Sequence, residues 1–332
     1  MFESVDDVIK QLGEQDYICG KDIATVVFLA AKLEKPVLVE GPAGVGKTEL
    51  AKVVSAATGR PLIRLQCYEG LDEAKALYEW EYSKQLLYTQ ILKEKFAESM
   101  AGATSLKDAA ERVGREDSVF FSDRFIVSRP LLHAIQAEDP SLLLIDEVDK
   151  SDPEFEAFLL EVLSDFQVTV PEIGTLEARH KPLVFLTSND AREMSDALKR
   201  RCLHLYIDFP DEELECRILR TKVPGIEERL VEELVGVMQR LRKLDLKKTP
   251  SISETLDWAR ALLALNAQTL EESLVSDTLN VILKYEGDIK KAQSELGRLI
   301  VRKSEEATTE AAAEPAKPAS GDKAPPKKGV LH

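Results

Sequence analysis

One segment of the chain has the residue types and spacing that bind a phosphate chain. Residues 41–48 read Gly-Pro-Ala-Gly-Val-Gly-Lys-Thr and match the pattern G-x-x-x-x-G-K-[ST] at every fixed position. The glycines let the backbone curl so that its N–H groups face an anion. Lys47 can place an ammonium on the β- and γ-phosphates, and Thr48 can offer a hydroxyl to Mg²⁺. The sequence therefore predicts a site for a nucleoside triphosphate, ATP or GTP; a glycine-rich turn that matches by chance is the alternative.

The segments on either side of this phosphate-binding loop have the patterns that the loop requires. Residues 36–40 are a short apolar run rich in valine, which indicates a buried parallel strand. Residues 49–57 have helical periodicity, and the N-terminus of such a helix directs its positive dipole end at a phosphate. Both patterns argue against a chance match. The predicted nucleotide-contacting residues are Gly41, Pro42, Ala43, Gly44, Val45, Gly46, Lys47, Thr48 and Glu49.

A break between two predicted helices lies just upstream of the loop. Tyr17 and Ile18 occupy this break, where residues often pack against the base of a bound nucleotide. Ile18 is therefore a candidate for the adenine pocket, with Tyr17 beside it. The alternative is that both are ordinary core residues.

A second group of candidate residues ends another predicted buried strand. The apolar run at 142–145 is followed by Asp146 and Glu147. Two carboxylates at the end of a buried strand are costly unless they serve a cation or a reaction. Asp146 is expected to hold Mg²⁺ through its water shell, together with Thr48, and also to contact the nucleotide site. Glu147 is expected to polarise the attacking water.

Three further polar residues are predicted to act on the same site. Asn189 follows a predicted strand at 182–188, and its amide can orient the lytic water; a turn-forming asparagine is the alternative. Arg200 and Arg201 precede the predicted strand at 203–207. One of them can reach the γ-phosphate of a neighbouring subunit as an arginine finger, and a solvated corner is the alternative.

The composition limits the classes of function. The formal net charge of -15 disfavours a constitutive nucleic-acid binder, which needs a basic face, although a local basic patch remains compatible with it. The N-terminus has no secretory signal, and no apolar run is long enough to span a bilayer. The cysteines are far apart in the sequence and form no C-x-x-C motif, so the sequence predicts a cytoplasmic protein without disulfides or zinc. They are Cys19, Cys67, Cys202 and Cys216.

The remaining patterns divide the chain into three parts. Residues 1–208 are predicted to be an α/β domain, a five-stranded parallel sheet with flanking helices. Residues 209–302 carry helical patterns throughout and are predicted to be a small α-helical domain. Residues 303–332 have almost no apolar bulk and are predicted to be a disordered tail.

An insert with alternating aromatic and acidic residues follows the second predicted strand. In residues 68–90, Tyr78, Trp80 and Tyr82 alternate with glutamates, which is the period of a strand. Base stacking favours basic neighbours, so we expect a hairpin or loop that contacts protein. A surface hairpin with one packed face is the alternative. Downstream, a helix is predicted at 93–115.

These motifs together resemble an AAA+ ATPase over about residues 15–300. Within that group, residues 39–48, Leu-Gln-Cys at 65–67 with the insert after it, and the hairpin predicted at 167–181 resemble the MoxR family. Arg-Pro-Leu-Leu at 129–132 and the run at 250–258 look more like its branch associated with carbon monoxide dehydrogenase maturation.

The resemblance implies activities and partners beyond the reach of the residue patterns. It implies an ATP- and Mg²⁺-dependent ring, typically a hexamer, with the active site between subunits and the helical domain as a lid. It also implies a chaperone-like motor that remodels client proteins, often a metalloenzyme awaiting its cofactor, with a von Willebrand factor A partner. A nucleic-acid motor, a nucleotide-gated binding module with negligible turnover, and the unfoldase subunit of a protease are the alternatives.

The sequence departs from the family pattern in the lid. The family usually carries a sensor arginine in a Ser-Pro-Arg-Ala context, and residues 252–254 align with it as Ile-Ser-Glu. Arg260, nearly two helical turns further on, is a possible substitute, and a charge on the lid surface is the alternative. We leave this sensor unassigned.

Overall fold

The protein contains a five-stranded parallel sheet and two short antiparallel pairs. The computed structural model describes residues 2–88, 90–91, 105, 125–170 and 173–300. The strands are β1 (Val37–Glu40), β2 (Leu62–Gln66), β3 (Tyr78–Trp80), β4 (Ile126–Ser128), β5 (Leu142–Asp146), β6 (Gln167–Val170), β7 (Gly174–Glu177), β8 (Leu183–Ser188) and β9 (Leu203–Tyr206). The main sheet has the order β2-β5-β8-β1-β9, and every neighbouring pair in it is parallel. The predicted α/β fold class, with a helical unit after the sheet, is confirmed.

Helices flank the sheet and make up the C-terminal part of the described chain. They are α1 (Val5–Gly13), α2 (Lys21–Leu33), α3 (Lys47–Thr58), α4 (Glu73–Leu77), α5 (Pro130–Gln136), α6 (Pro153–Asp165), α7 (Asp196–Arg201), α8 (Glu212–Lys222), α9 (Glu228–Arg242), α10 (Ile252–Ala264), α11 (Glu272–Ile282), α12 (Glu286–Ser294) and α13 (Leu296–Leu299). Several begin where the sequence supplies a cap. Ser4, Ser195 and Asp211 each accept a hydrogen bond from the N–H three residues on.

The central strands are buried on both faces of the sheet. Strands β1, β5 and β8 are buried at every position, because helices cover both sides. Leu142 and Leu144 of β5 pack with α1, α2 and α3, whereas Leu143 and Ile145 pack with α5 and α6. The parallel direction brings the carboxyl ends of these strands, and the residues that follow them, to one edge of the sheet.

The helices from α8 onward have their own core. Trp258 is fully buried at its centre, and its indole N–H donates to Oγ1 of Thr278 at 2.8 Å. The core also encloses an ion pair, in which Nη1 and Nη2 of Arg242 donate to the two carboxylate oxygens of Glu215, each at 2.6 Å. Helix α10 begins in a capping box formed by Ser251 and Glu254.

The aromatic–acidic insert, expected to be a hairpin or loop that contacts protein, contains a strand that pairs with a segment outside the insert. Strand β3 contains Tyr78 and Trp80, but its antiparallel partner is β4, with Tyr78 opposite Ser128. Tyr82 lies in a helical segment at residues 82–88 instead of continuing the strand. The alternation therefore identified a strand. It did not specify the partner of that strand, because a strand can pair with a segment far away in sequence.

Of the other predicted elements, one lies within the described residues and two lie outside them. The hairpin predicted at 167–181 is confirmed as the antiparallel pair β6–β7. The helix predicted at 93–115 and the tail predicted at 303–332 lie outside the described residues. Among the helices described, none combines the length and the apolar composition that crossing a membrane requires.

Candidate nucleotide-binding site

The phosphate-binding loop joins the buried end of β1 to the first turn of α3. Its glycines adopt positive φ angles, 143° at Gly41, 78° at Gly44 and 99° at Gly46, which side chains disfavour. Space is also restricted at two of them. A Cβ on Gly41 would lie 2.0 Å from the carbonyl oxygen of Ile207, and one on Gly44 would lie 2.1 Å from Oγ of Ser251. The loop therefore requires glycine for both its backbone and its neighbours.

The Lys47 side chain is buried and folds back across the loop. Its Nζ donates to the carbonyl oxygens of Gly41 at 2.7 Å and Pro42 at 2.6 Å. Burial lowers the pKa of the Lys47 ammonium, and nearby carboxylates, Asp149 foremost, act in the opposite direction. The ammonium therefore lies inside the loop, where the predicted phosphates would bind.

Asp146 accepts hydrogen bonds on both carboxylate oxygens. Its Oδ1 accepts from Oγ1 of Thr48 at 2.9 Å and from Oγ1 of Thr187 at 2.6 Å. Its Oδ2 accepts from Nε and Nη2 of Arg64 at 3.1 and 2.5 Å. The structure thus brings Thr48 and Asp146 together, the two residues that the sequence predicts at the metal.

Glu147 lies beside Asp146 in a left-handed conformation, with φ of 56°. Its Oε2 accepts from Nε2 of Gln66 and from Nζ of Lys150, each at 2.7 Å. Its Oε1 accepts from Nδ2 of Asn189 at 3.3 Å. The predicted base and the predicted water-orienting amide therefore meet at the same edge of the sheet.

Asp149 fixes the backbone around Asn189. Its Oδ2 accepts from the N–H groups of Asn189 and Ala191, each at 3.1 Å. The side chain is buried, and its Oδ1 has no hydrogen-bond partner among the described residues. This carboxylate joins the turn after β5 to the loop after β8, and it thereby holds the backbone of Asn189 in place.

The oxygen atoms at this edge suit a hard cation. Thr48 and Asp146 supply a hydroxyl and a carboxylate, which Mg²⁺ accepts as ligands directly or through water. Within the described part of the chain, no group of three or more His, Cys, Asp or Glu side chains is arranged to hold a metal by itself. This donor set fits Mg²⁺ that keeps several waters and shares a phosphate chain, the usual way that Mg²⁺ binds beside nucleotides.

The two residues predicted at the base of the nucleotide, Tyr17 and Ile18, lie just upstream of the phosphate-binding loop. Tyr17 is close to the loop, since a Cβ on Gly46 would lie 3.9 Å from Cε2 of its ring. Burial raises the pKa of the Tyr17 hydroxyl. Ile18 is half-buried one residue away, and its place in an adenine pocket stays a prediction.

Arg200 and Arg201 end α7 with exposed side chains. Nε of Arg201 donates to Oγ of Ser164 at 2.6 Å. The side chain of Arg200 makes no hydrogen bond or ion pair with the residues that the structure describes. Neither is bonded to the loop or to Glu147 of its own chain within that range, so a role as a finger acting on a neighbouring subunit stays a prediction.

The lid residues contact the loop without an arginine. Oγ of Ser253 donates to the carbonyl oxygen of Gly44 at 3.4 Å, and Nζ of Lys222 lies 3.5 Å from a carboxylate oxygen of Glu49. Arg260, the candidate substitute for the missing sensor, pairs with Asp257 on its own helix at 3.2 Å and is exposed. The ion pair with Asp257 therefore holds Arg260 at the surface of the lid.

Several residues of the site were missed by the sequence analysis. Arg64 and Gln66 are polar positions that alternate along the otherwise apolar strand β2, and Gln66 lies opposite Asp146 in the register. That alternation beside the strand that carries Asp146 was the available signal. Thr187 and Lys150 carried none, since a threonine in a buried strand and a lysine in a turn are ordinary residues there.

Comparisons with known proteins place the chain in a family. The model of the AAA domain (dynein-related subfamily) matches residues 36–202, which is half of the chain. An uncharacterized protein of Staphylococcus aureus is 27% identical over 256 residues, covering 74% of this chain and 83% of the relative. An uncharacterized protein of Staphylococcus haemolyticus is 26% identical over 241 residues, covering 70% and 78%.

Solved structures with a similar fold are more distant. The Thermotoga maritima RuvB Holliday junction branch migration motor has 14% identity and a TM-score of 0.42, covering 84% of this chain and 72% of that chain. A point mutant of the same motor has 18% identity and a TM-score of 0.46 with the same coverage. On the family match over half of its length, the chain belongs to the AAA domain family, dynein-related subfamily.

Proposed function

We propose that the chain is an ATP-hydrolysing AAA+ remodeller of client proteins. The observation that carries the ATPase part is the convergence of Lys47, Thr48 and Asp146 with Glu147 and Asn189 at one edge of the sheet. Each is the residue type that phosphoryl transfer to water needs at that place: a cation, a metal-side hydroxyl and carboxylate, a base and an amide.

The roles follow from the contacts. Lys47 would exchange its two carbonyl partners for phosphate oxygens, since an ammonium prefers an anionic acceptor. Thr48 and Asp146 would hold Mg²⁺, which when bound neutralises phosphate charge and aligns the β- and γ-phosphates. Glu147 would accept a proton from the water whose oxygen attacks the γ-phosphorus, while Asn189 orients that water. The bond between the γ-phosphorus and the oxygen that bridges it to the β-phosphate breaks, ADP and phosphate leave, and Glu147 returns the proton to solvent.

The assembly that we propose places each site between two subunits. The two domains are residues 1–208 and 209–302, and the helical one acts as the lid. The exposed arginines at the end of α7 would reach the site of the next subunit in a closed ring, which we propose is a hexamer. Arg200 or Arg201 would then stabilise the charge that develops on the transferring phosphoryl group.

The client side of the proposal rests on sequence resemblance. The MoxR-like motifs at 39–48 and 65–67 support a chaperone-like motor that works with a von Willebrand factor A partner. The runs at 129–132 and 250–258 support the branch that matures carbon monoxide dehydrogenase, and so a metalloenzyme as client. The net charge of -15 acts against a nucleic-acid substrate.

The test is a stalled variant of the full chain. Glu147→Gln keeps the shape of the side chain and removes the base, so we expect nucleotide affinity to stay and turnover to fall about a hundred- to ten-thousandfold. The same variant, with ATP, should retain a von Willebrand factor A protein and a metalloenzyme subunit in a pull-down from the native host.

The matched control is Glu154→Gln, an exposed glutamate in the first turn of α6, which should leave turnover and the pull-down unchanged. Undiminished hydrolysis by Glu147→Gln would reject the assigned base. Recovery of nucleic acid or a protease instead of the expected partners would reject the client assignment and leave the ATPase assignment standing.

A further inference from the structure

The buried carboxylate of Asp146 has a cationic partner supplied by the chain itself. The Asp146 side chain is 3% exposed, and Arg64 binds its Oδ2 through both Nε and Nη2. A carboxylate buried to this extent needs a partner charge or a metal. Within the described residues no other cationic side chain forms an ion pair with Asp146. Lys47, the obvious alternative, donates to backbone carbonyl oxygens instead.

The hydrogen-bonding positions of Asp146 are all taken. Thr48 and Thr187 use Oδ1, and the two nitrogens of Arg64 use Oδ2, which fills the roughly four lone-pair positions of a carboxylate. A metal-bound water can therefore reach Oδ2 only where a guanidinium N–H leaves. Arg64 is the donor that can move into solvent, because its side chain is long and 46% exposed.

The same guanidinium is connected to the predicted base. Nη2 of Arg64 also donates to Oε1 of Gln66 at 2.6 Å, and Nε2 of Gln66 donates to Oε2 of Glu147 at 2.7 Å. Arg64 thereby fixes which end of the Gln66 amide faces Glu147. A change at Asp146 that moves the guanidinium would also loosen Gln66 from its present orientation.

We propose that Arg64 is a positioning residue that neutralises Asp146 while no divalent cation is bound, and that its release sets the Mg²⁺ concentration at which nucleotide binds. The inference rests on the proposed function, because it assumes that Asp146 serves Mg²⁺ beside a nucleotide. It adds a competition between a guanidinium and the metal for one buried carboxylate.

The experiment measures the Mg²⁺ requirement of nucleotide binding by the full chain. A fluorescent ADP is titrated at rising Mg²⁺ with the wild type and with Arg64→Gln, which is neutral and cannot compete as a cation. We expect the half-saturating Mg²⁺ concentration to fall about two- to fivefold in Arg64→Gln, the range for losing a partly exposed ion pair. Arg64→Lys keeps the charge and should retain most of the wild-type requirement.

A control and a second readout separate this role from a general loss of charge. Arg298→Gln removes an exposed arginine that pairs with Glu295 in its own turn, and it should leave the Mg²⁺ requirement unchanged. Thermal unfolding without nucleotide is the second readout: with a chelator, Arg64→Gln should melt below the wild type, and added Mg²⁺ should raise its midpoint more than that of the wild type.

Each outcome decides between the inference and the proposed function. An Arg64→Gln chain that folds only with Mg²⁺ supports the inference, because the metal then replaces the guanidinium. A requirement that is unchanged or higher in Arg64→Gln, or a variant that fails to fold even with Mg²⁺, overturns the inference while nucleotide binding by the wild type upholds the function. A wild type that binds no fluorescent nucleotide at any Mg²⁺ concentration rejects both.

Discussion

At the scale of single residues, Lys47 is held ready for an anion by the loop that surrounds it. Its ammonium donates hydrogen bonds to two carbonyl oxygens, and it forms no ion pair within the described part of the chain. Burial lowers the pKa of this ammonium, whereas the negative charges of Asp149 and the other nearby carboxylates act to raise it. A phosphate chain would supply the close anionic partner, so nucleotide binding should favour the charged form of Lys47.

Removal of this cation should therefore abolish most of the affinity. We expect Lys47→Ala to weaken ATP binding at least about a hundredfold, because two charge-assisted hydrogen bonds of about 1.5–3 kcal/mol each are lost. Fluorescent-nucleotide titration measures the loss. Lys52→Ala, on the same helix with an exposed ammonium 3.9 Å from Glu49, is the control and should bind normally. Near-wild-type affinity in Lys47→Ala would contradict the assignment of the loop.

The site residues that the sequence could predict are those that a local motif defines. Thr48 and Asp146 were predicted at one metal, and their oxygens lie 2.9 Å apart. One motif fixes Thr48 in the first turn of the helix after β1, and the other fixes Asp146 at the end of β5. Arg64 and Asp149 act through contacts with β5 or with the loop after β8. Such contacts depend on strand order, which a single sequence does not display.

At the scale of elements, a helix start is defined by local sequence, whereas the pairing of the strand in the insert depends on a distant segment. The start of α5 has a local signal in the sequence, because Pro130 suits the first turn of a helix. The partner of β3 was not, because β4 comes 48 residues later, with Tyr78 opposite Ser128. Aromatic alternation identifies a strand and one packed face, but the pairing energy comes from cross-strand neighbours, whose place in the chain the alternation does not specify.

The core of the helical unit contains a buried ion pair between Glu215 and Arg242. Glu215 is fully buried, and it accepts two hydrogen bonds from Arg242 and one from Oγ1 of Thr255 at 2.7 Å. A fourth comes from Nε2 of Gln239 at 2.8 Å. These contacts tie α8, α9 and α10 together. The ion pair is fully hydrogen-bonded, and removal of one partner would leave an uncompensated charge in the core.

We expect Glu215→Ala to lower the free energy of unfolding by about 3–5 kcal/mol, because Arg242 stays buried without its partner. Denaturant titration followed by tryptophan fluorescence would report it, since Trp258 lies in the same core. Glu228→Ala breaks the exposed pair with Arg220 on the same unit and should change stability little. A Glu215 variant as stable as the wild type would show that the pair contributes nothing net.

At the scale of the whole molecule, the lid and the phosphate-binding loop are in direct contact. Ser253 reaches the carbonyl oxygen of Gly44, Lys222 lies 3.5 Å from Glu49, and the Ser251 hydroxyl occupies the space that a Cβ on Gly44 would need. A nucleotide that reshapes the loop must therefore act on α8 and α10. This is the physical route by which ATP binding would move the helical unit and anything attached to it.

The exposed position of Arg200 and Arg201 leads to a prediction that can be tested only in an assembly of several subunits. If Arg200 or Arg201 acts on the neighbouring site, the double variant Arg200→Ala/Arg201→Ala binds ATP but loses turnover about a thousandfold or more. Lys47→Ala is inactive for a different reason and keeps both arginines. Mixed rings would then contain sites with an intact loop beside an intact arginine, so the mixture should hydrolyse ATP where neither variant does alone. Mixed rings that form and stay inactive would place the finger elsewhere in the chain.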